Sequence, residues 1–469
     1  MDFLFYDLET TGVSKAHDQV LQFAAIRCDQ NLNQVETPSN LFCKPRNDVF
    51  PSPSAILANR LDFRKCKREG LSEFEFALAA HDVLRRPNTF IAGYNSKKFD
   101  DELMRFLFYR NLIDPYKWGY ERENKRIDVM DQILLAHVFN REVGLEFPVV
   151  DGQVSLKLEH IAEDNHFDAR NHHDALNDAT NTRSIMEIIR NQRPKLFEYA
   201  LQRVNEEENR KLITESELFC HVSTIYGYAN NCVSIQRFLC FHPIIRKRLL
   251  TWNLTYDPLE LLKRSPQEIA QNLYLNKEQK AFEIGFGEIT LNQTPMVLKY
   301  SLNQSNLEVE KEKIQDNLEK LRGVEQQLSD LAEATYQIKD PPQVQDVDAS
   351  LYDSAFFPDR NNNIRLIDEV IQNPMDFDHR EIQNKRYSEL LLRLQGRNHY
   401  EQLSPQNQDE YNRYRREKLL SEEKKDWMTH EQFKNELGDL KRTQRLSSEQ
   451  EVLLSHLIDH VEQIVAEIT

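Results

Sequence analysis

Residues 3–12 read Phe3-Leu4-Phe5-Tyr6-Asp7-Leu8-Glu9-Thr10-Thr11-Gly12, an apolar and aromatic run that leads straight into two carboxylates one residue apart. On a strand, residues two apart face the same side. Asp7 and Glu9 therefore project together from the end of a strand, and Gly12 lets the chain turn tightly beside them. Carboxylates this close repel unless a cation lies between them. Hard oxygen ligands with open positions suit Mg²⁺ or Mn²⁺. An isolated acidic pair at a strand end is ordinarily a solvated edge; a pair delivered by so apolar a strand reads as a metal site.

Working outward, β-rich runs predict further strands over 20–27 and 89–94. Helical spacing of apolar residues predicts helices over 74–84, 100–108, 129–139 and 156–163. Strands interleaved with helices point to an α/β region built on a mixed sheet covered by helices. After the third strand comes Gly93-Tyr94-Asn95-Ser96-Lys97-Lys98-Phe99-Asp100-Asp101-Glu102. Acidic residues in a first helical turn are favoured by the helix dipole, which accounts for Asp101 and Glu102. Asp100, next to the apolar Phe99, is the candidate inward carboxylate. A third element, His172-His173-Asp174-Ala175-Leu176-Asn177-Asp178, opens another helix. Five residues turn roughly 140° around a helix, so His173 and Asp178 do not share a face. The arrangement works with Asp178 on the helix and His173 at its start; Asp174 suits the cap.

Together Asp7, Glu9, Asp100 and Asp178 with His173 form the set needed for two-metal phosphodiester hydrolysis. In that scheme the carboxylates hold two Mg²⁺ ions, with Mn²⁺ able to substitute. His173, with an ordinary pKa near ~6.5, takes a proton from the attacking water.

The remaining chain is organised differently. Short strand candidates at 218–223, 232–240, 249–254 and 296–299 precede a helical face at Ile314, Leu318, Leu321, Val324 and Leu328. Asp340-Pro341-Pro342-Gln343 reads as a linker. Charged helices come after it, with patterns at 388–394, 408–420 and 449–468. We expect three domains over 1–195, 196–340 and 347–469. The 469 residues carry a net charge of −16, which excludes a protein that coats nucleic acid through overall positive charge but leaves room for a local basic groove. Six scattered cysteines without metal spacing read as reduced thiols. No stretch approaches a membrane span and the first residues lack a signal-peptide pattern, so the expectation is a cytoplasmic protein without membrane partners.

These motifs resemble the DEDD exonuclease superfamily in its histidine-bearing branch, and within it the bacterial exodeoxyribonuclease I family. The likeness runs through DxETxG at 7–12, LQFAAIR at 21–27, GYNxxxFDDE at 93–102, FYRNxxDPY at 108–116, LEH at 158–160 and HDAxxD at 173–178. It continues through CHVS at 220–223, TPMVL at 294–298 and VDASLY at 347–352. The resemblance implies a ribonuclease H-like exonuclease domain, an SH3-like β-barrel domain and an all-α C-terminal domain, arranged as a C-shaped clamp around single-stranded DNA. It implies a monomer that hydrolyses DNA processively from 3′ to 5′ into 5′-mononucleotides. It also implies docking of the acidic C-terminal tail of single-stranded DNA-binding protein. The chain departs from the family pattern at Thr11, where an aromatic residue is common, and at Lys157, where arginine is common. It also departs at the three glutamates 206–208 in a segment that is usually more basic.

Single-strand binding combines cations for phosphates with aromatic faces for bases. Lys98, Arg105, Tyr116 and Tyr120 supply that mixture near the second motif, and Lys157 precedes the last one; Glu9 and Thr10 are further candidate substrate-binding residues. Tyr199, with Arg193-Pro194-Lys195 before it, is a candidate for the partner surface. A denser set, from Arg386 and Arg393 through Tyr411 and Tyr414 to Arg416, serves equally as clamp lining or as tyrosines packed in a core under arginine stems. Two rival functions remain open on the residues alone. One is a 3′→5′ exoribonuclease with the same metal site, because the carboxylates do not read the sugar's 2′ position. The other is a repair scaffold that binds single strands without cutting.

Overall fold

The computed structural model describes residues 1–139, 144–167, 174–227, 232–273, 275, 277–301, 310–338, 346–353 and 369–469. The chain forms two compact units, one comprising 1–125, 168–183 and 343–469 and the other 126–167 and 184–342.

In the first unit, β1 (Asp2–Thr10) runs antiparallel to β2 (Val20–Cys28) and parallel to β4 (Thr89–Gly93), and β3 (Ser39–Phe42) borders β2 antiparallel. This is the mixed sheet expected from the sequence. Strand alternation sends Leu4, Tyr6 and Leu8 into a core shared with Val20, Phe23 and Ala25. The same core takes Phe76, Ala80 and Leu84 from α3 (Glu73–Leu84), and Leu103 and Leu107 from α4 (Asp100–Arg110). Two short helices absent from the sequence reading, α1 (Pro53–Asn59) and α2 (Phe63–Glu69), lie between β3 and α3. The helix α5 (Ala175–Gln192) carries the last motif.

The C-terminal stretch is helical as expected, with α6 (Lys385–Asn398), α7 (Pro405–Leu419), α8 (His430–Thr443) and α9 (Ser448–Ile468). These helices share cores with the N-terminal stretch. Leu21, Phe50, Ile56 and Phe63 pack with Leu419, Phe433, Leu457 and Ile464. Phe74, Phe106 and Tyr109 pack with Leu351, Tyr387 and Leu390. Each such side chain contributes roughly 1.5–3 kcal/mol by leaving water. Between the two cores runs a buried ion-pair network. Arg46 pairs with Asp48 at 2.7 Å and with Glu73 at 3.5 Å. Arg393 pairs with Asp346 at 2.8 Å and Asp348 at 3.0 Å, and lies 4.0 Å from the centre of the Tyr414 ring. Tyr411 is fully buried and Arg415 nearly so, which settles much of that cluster as packing.

In the second unit, β5 (Phe219–Val222), β6 (Val233–Phe241), β7 (Arg248–Asn253), β8 (Phe286–Thr290) and β9 (Met296–Lys299) form an antiparallel sheet of order β8-β7-β6-β5-β9. Among the described residues no pairing joins its two edge strands. A register shift at Leu250/Thr251 interrupts the β6–β7 ladder, the kind of irregularity that bends a strand. The helix Lys311–Gln337 buries the expected face through Ile314, Leu318, Leu321 and Leu328, with Val324 half-buried. The proposed linker at 340–343 lies outside the described residues. All six cysteines are buried and unbonded to one another. Among the described residues no helix is long and apolar enough to cross a membrane.

Candidate active site

The end of β1 is where the sequence reading placed the carboxylates. Alternation that buries Tyr6 and Leu8 on one face puts Asp7 and Glu9 on the other. The β1–β2 ladder shifts register between Glu9 and Thr10, a bulge of the kind that re-aims side chains beside active sites. The strand then gives way to a tightly bonded turn. The Thr10 hydroxyl donates to the Gly12 carbonyl at 2.8 Å, and Asn59 Nδ2 donates to the Thr10 carbonyl at 2.7 Å. Asp18 accepts from the Thr11 hydroxyl at 2.8 Å and from the Ser14 amide at 2.7 Å. A Cβ on Gly12 would lie 2.5 Å from Asp18 Oδ2, so a larger residue there would have to displace the Asp18 carboxylate. Thr11 is fully buried and its hydroxyl also accepts from the Gln19 amide, so this departure from the family pattern lies inside the turn.

The three motifs converge in part. One ligand oxygen each of Asp7, Glu9 and Asp178 lies within 4.8 Å of the others, a grouping able to hold a metal ion. Asp100 is buried at the start of α4 and stands outside that trio, but its charge acts on it. Burial, then Asp100, Asp178 and Glu9, push the Asp7 carboxyl well above its ordinary range. Burial, then Asp178, Asp100 and Asp174, do the same to Glu9. Asp174 caps α5 as anticipated, accepting from the Leu176 amide at 3.1 Å, and Gln22 Nε2 reaches its other oxygen at 3.4 Å. Arg183 Nη1 donates to the Leu32 carbonyl at 2.9 Å, tying α5 to the chain beyond β2. His172 and His173 lie outside the described residues.

The other candidates differ in setting. Lys98 is exposed at the end of a one-turn helix, Ser96–Lys98. Tyr120 is 61% exposed. Arg105 is mostly buried and ion-paired with Glu102, and its guanidinium lies 5.8 Å from the centre of the half-buried Tyr116 ring. In the second unit Lys157 is exposed, 3.5 Å from Glu159. Tyr199 donates its hydroxyl to the Val297 carbonyl at 2.7 Å and helps line a cavity of about 590 Å³ with Leu135, Phe139, Leu196, Leu298, Arg193 and Lys195. Sequence reasoning missed Asp18 and Gln19, whose bonds to Thr11 shape the turn, and read Asp101 only as a first-turn residue, not as the partner of Tyr6.

Known proteins match this chain along its length. The Exonuclease family pattern matches residues 4–186, the Exonuclease I SH3-like domain 205–338 and the Exonuclease I C-terminal domain 345–464. Exodeoxyribonuclease I of Haemophilus influenzae is 29% identical over 89% of this chain and 90% of its own. Escherichia coli Exonuclease I in complex with a dT13 oligonucleotide superposes with a TM-score of 0.90 at 28% identity, covering 99% of both chains. A zinc-bound form of the E. coli enzyme with single-stranded DNA gives 0.88 at 27% identity and 99% coverage of each. Matches to all three parts of one enzyme, in its own order and over nearly its whole length, make this chain a member of the exodeoxyribonuclease I family of DEDD exonucleases.

Proposed function

We propose that the chain is an exodeoxyribonuclease that degrades single-stranded DNA from 3′ to 5′ into 5′-mononucleotides, acting in DNA repair and recombination. The observation that carries this is the closure of Asp7, Glu9 and Asp178 to within 4.8 Å, in a chain whose structural relatives hold single-stranded DNA. Those oligonucleotides are DNA, which favours this reading over RNA trimming.

The donor set fits a divalent cation: hard oxygens at least half-buried that repel one another, with Asp7 and Glu9 held against ionisation, are relieved by positive charge between them. Mg²⁺ is the ion proposed, with Mn²⁺ able to substitute, held by Asp7, Glu9, Asp100 and Asp178. A bound pair of such ions would polarise the scissile phosphate and acidify the attacking water. In this scheme His173 accepts the proton of that water, the general-base role an imidazole suits. Glu9 and Thr10 border the terminal nucleotide. Lys98, Arg105 and Lys157 meet phosphates, and Tyr116 and Tyr120 offer ring faces worth ~1–3 kcal/mol per stacked base.

The work is divided among an exonuclease domain (1–195), an SH3-like domain (196–340) and a helical domain (347–469) of a cytoplasmic monomer. The cavity at Tyr199 is proposed as the dock for the acidic tail of single-stranded DNA-binding protein. Its apolar walls suit side chains, and Arg193 and Lys195 suit carboxylates.

Replacement of a ligand tests the scheme. Asp178→Ala is expected to abolish cleavage while leaving DNA binding largely intact. Digestion at the parent rate would refute the metal-site assignment.

A further inference from the structure

Tyr6 immediately precedes Asp7 on β1 and points to the opposite, buried face, where it is 1% exposed. Its hydroxyl donates to Asp101 Oδ1 at 2.5 Å. Asp101 immediately follows Asp100 in the first turn of α4 and is 2% exposed. The neighbours of two proposed ligands are thus bonded to each other on the side of the chain away from the ligands.

The backbone leaves a gap that this bond spans. The parallel β1–β4 ladder runs from Asp2↔Thr89 to Phe5↔Ala92 and ends before Asp7. Beyond it the chain passes through Asn95, in the left-handed region at φ 55°, then through the turn Ser96–Lys98 and into α4, which has no side-chain cap. Neither ladder nor cap therefore fixes how far Asp100 lies from Asp7. Asp100 is also the proposed ligand outside the trio closed to 4.8 Å. The Phe23 ring, its centre 6.1 Å from that of Tyr6, shows that apolar rings border this space. A buried carboxylate there costs free energy unless it is hydrogen-bonded, and a hydroxyl-to-carboxylate bond is among the strong ones.

We propose that Tyr6 is a positioning residue: through Asp101 its hydroxyl sets the place of Asp100 relative to Asp7 and so completes the set that holds the second divalent ion. This role rests on the two-ion reading of the site. Groups that orient ligands typically cost ~10–100-fold in metal affinity or activity when removed.

The test uses the full chain as parent, Tyr6→Phe, Asp101→Ala and Asp101→Asn. Mn²⁺ binding is measured by calorimetry without DNA, together with kcat and KM on single-stranded DNA and the melting temperature. Tyr6→Phe and Asp101→Ala are expected to weaken the weaker Mn²⁺ step by ~10–100-fold and to lower kcat with KM for DNA unchanged. Asp101→Asn keeps an oxygen acceptor for Tyr6 and is expected to stay near the parent. Parent-like Mn²⁺ binding and kcat in Tyr6→Phe would overturn the proposal, and that variant decides the matter if Asp101→Ala does not fold. Equal damage from Asp101→Asn and Asp101→Ala would also overturn it, since charge and not the bond would then matter. A parent that binds no Mn²⁺ would instead remove the two-ion reading itself.

Discussion

Arg397 on α6 donates its Nε to Asp48 Oδ2 at 2.8 Å across 349 residues of sequence. The same guanidinium bonds Asp348 and lies 3.4 Å from the Tyr414 hydroxyl. From Asp48 the chain of bonds continues through Arg46, whose amide donates to Gln19 Oε1 at 2.8 Å. Gln19 in turn bonds Thr11, two residues beyond Glu9. The C-terminal helices are thereby joined to the turn that shapes the carboxylate site. Breaking a buried pair leaves an uncompensated charge, at a cost of about 3–5 kcal/mol. Arg397→Met is expected to lower stability by that order in urea unfolding at neutral pH; an unchanged midpoint would show the network to be dispensable.

Acid should weaken the fold earlier than carboxylates alone would dictate. Burial, then Lys418, lowers His17 to about 4. Burial, then Lys67, lowers His460 to about 3. The unfolded chain protonates both as pH falls through ~6.5 while the folded chain does not, so stability is complete above that value and lost progressively below it. Burial pushes the Asp48 carboxyl up, but Arg397 and Arg46 outweigh it and hold it well below the usual range; its contribution fades only in stronger acid. Urea midpoints are expected to drop between about pH 6.5 and about pH 4.5, with a shallower drop in His460→Gln. A flat profile over that interval would contradict the assignment of two neutral buried imidazoles.

Metal should stabilise the protein more at high pH. Asp7 and Glu9 have folded pKa values raised above their ordinary ones. Metal-free stability therefore declines as pH rises through those values, and a cation among the carboxylates removes the loss. The melting-temperature gain from saturating Mg²⁺ is expected to be larger at about pH 8 than at about pH 5. Equal gains at both would argue against a cation at this cluster.

The cavity at Tyr199 predicts a salt-sensitive peptide interaction. An acidic peptide with apolar residues should bind with a Kd that rises with ionic strength. Lys195→Glu should weaken it by ~1–3 kcal/mol through reversed charge. Binding indifferent to both salt and Lys195→Glu would move the partner site elsewhere.

The sequence carried the site better than its supports. DxE at a strand end was legible because strand period and apolar run coincide, and Met296–Lys299 and Val129–Phe139 stand where periodicity put them. The helices Pro53–Asn59 and Phe63–Glu69 were not, being too short to show a period. Nor was the shared core of Leu21 and Phe50 with Leu457 and Ile464, since the chain gives no sign of which distant faces meet. Arg393 and Arg397 looked equally apt for DNA; only their buried partners Asp48 and Asp348 distinguish structural cations from free ones.

Metal-dependent digestion of single-stranded DNA from its 3′ end can be followed with 5′-labelled single-stranded DNA, matching RNA and duplex DNA. Each is incubated with the purified chain in Mg²⁺ or in EDTA. The expected outcome is a ladder of labelled products that shortens from the 3′ end, on single-stranded DNA and only with Mg²⁺. Binding without cleavage, cleavage that survives EDTA, or preference for RNA would refute the proposed function.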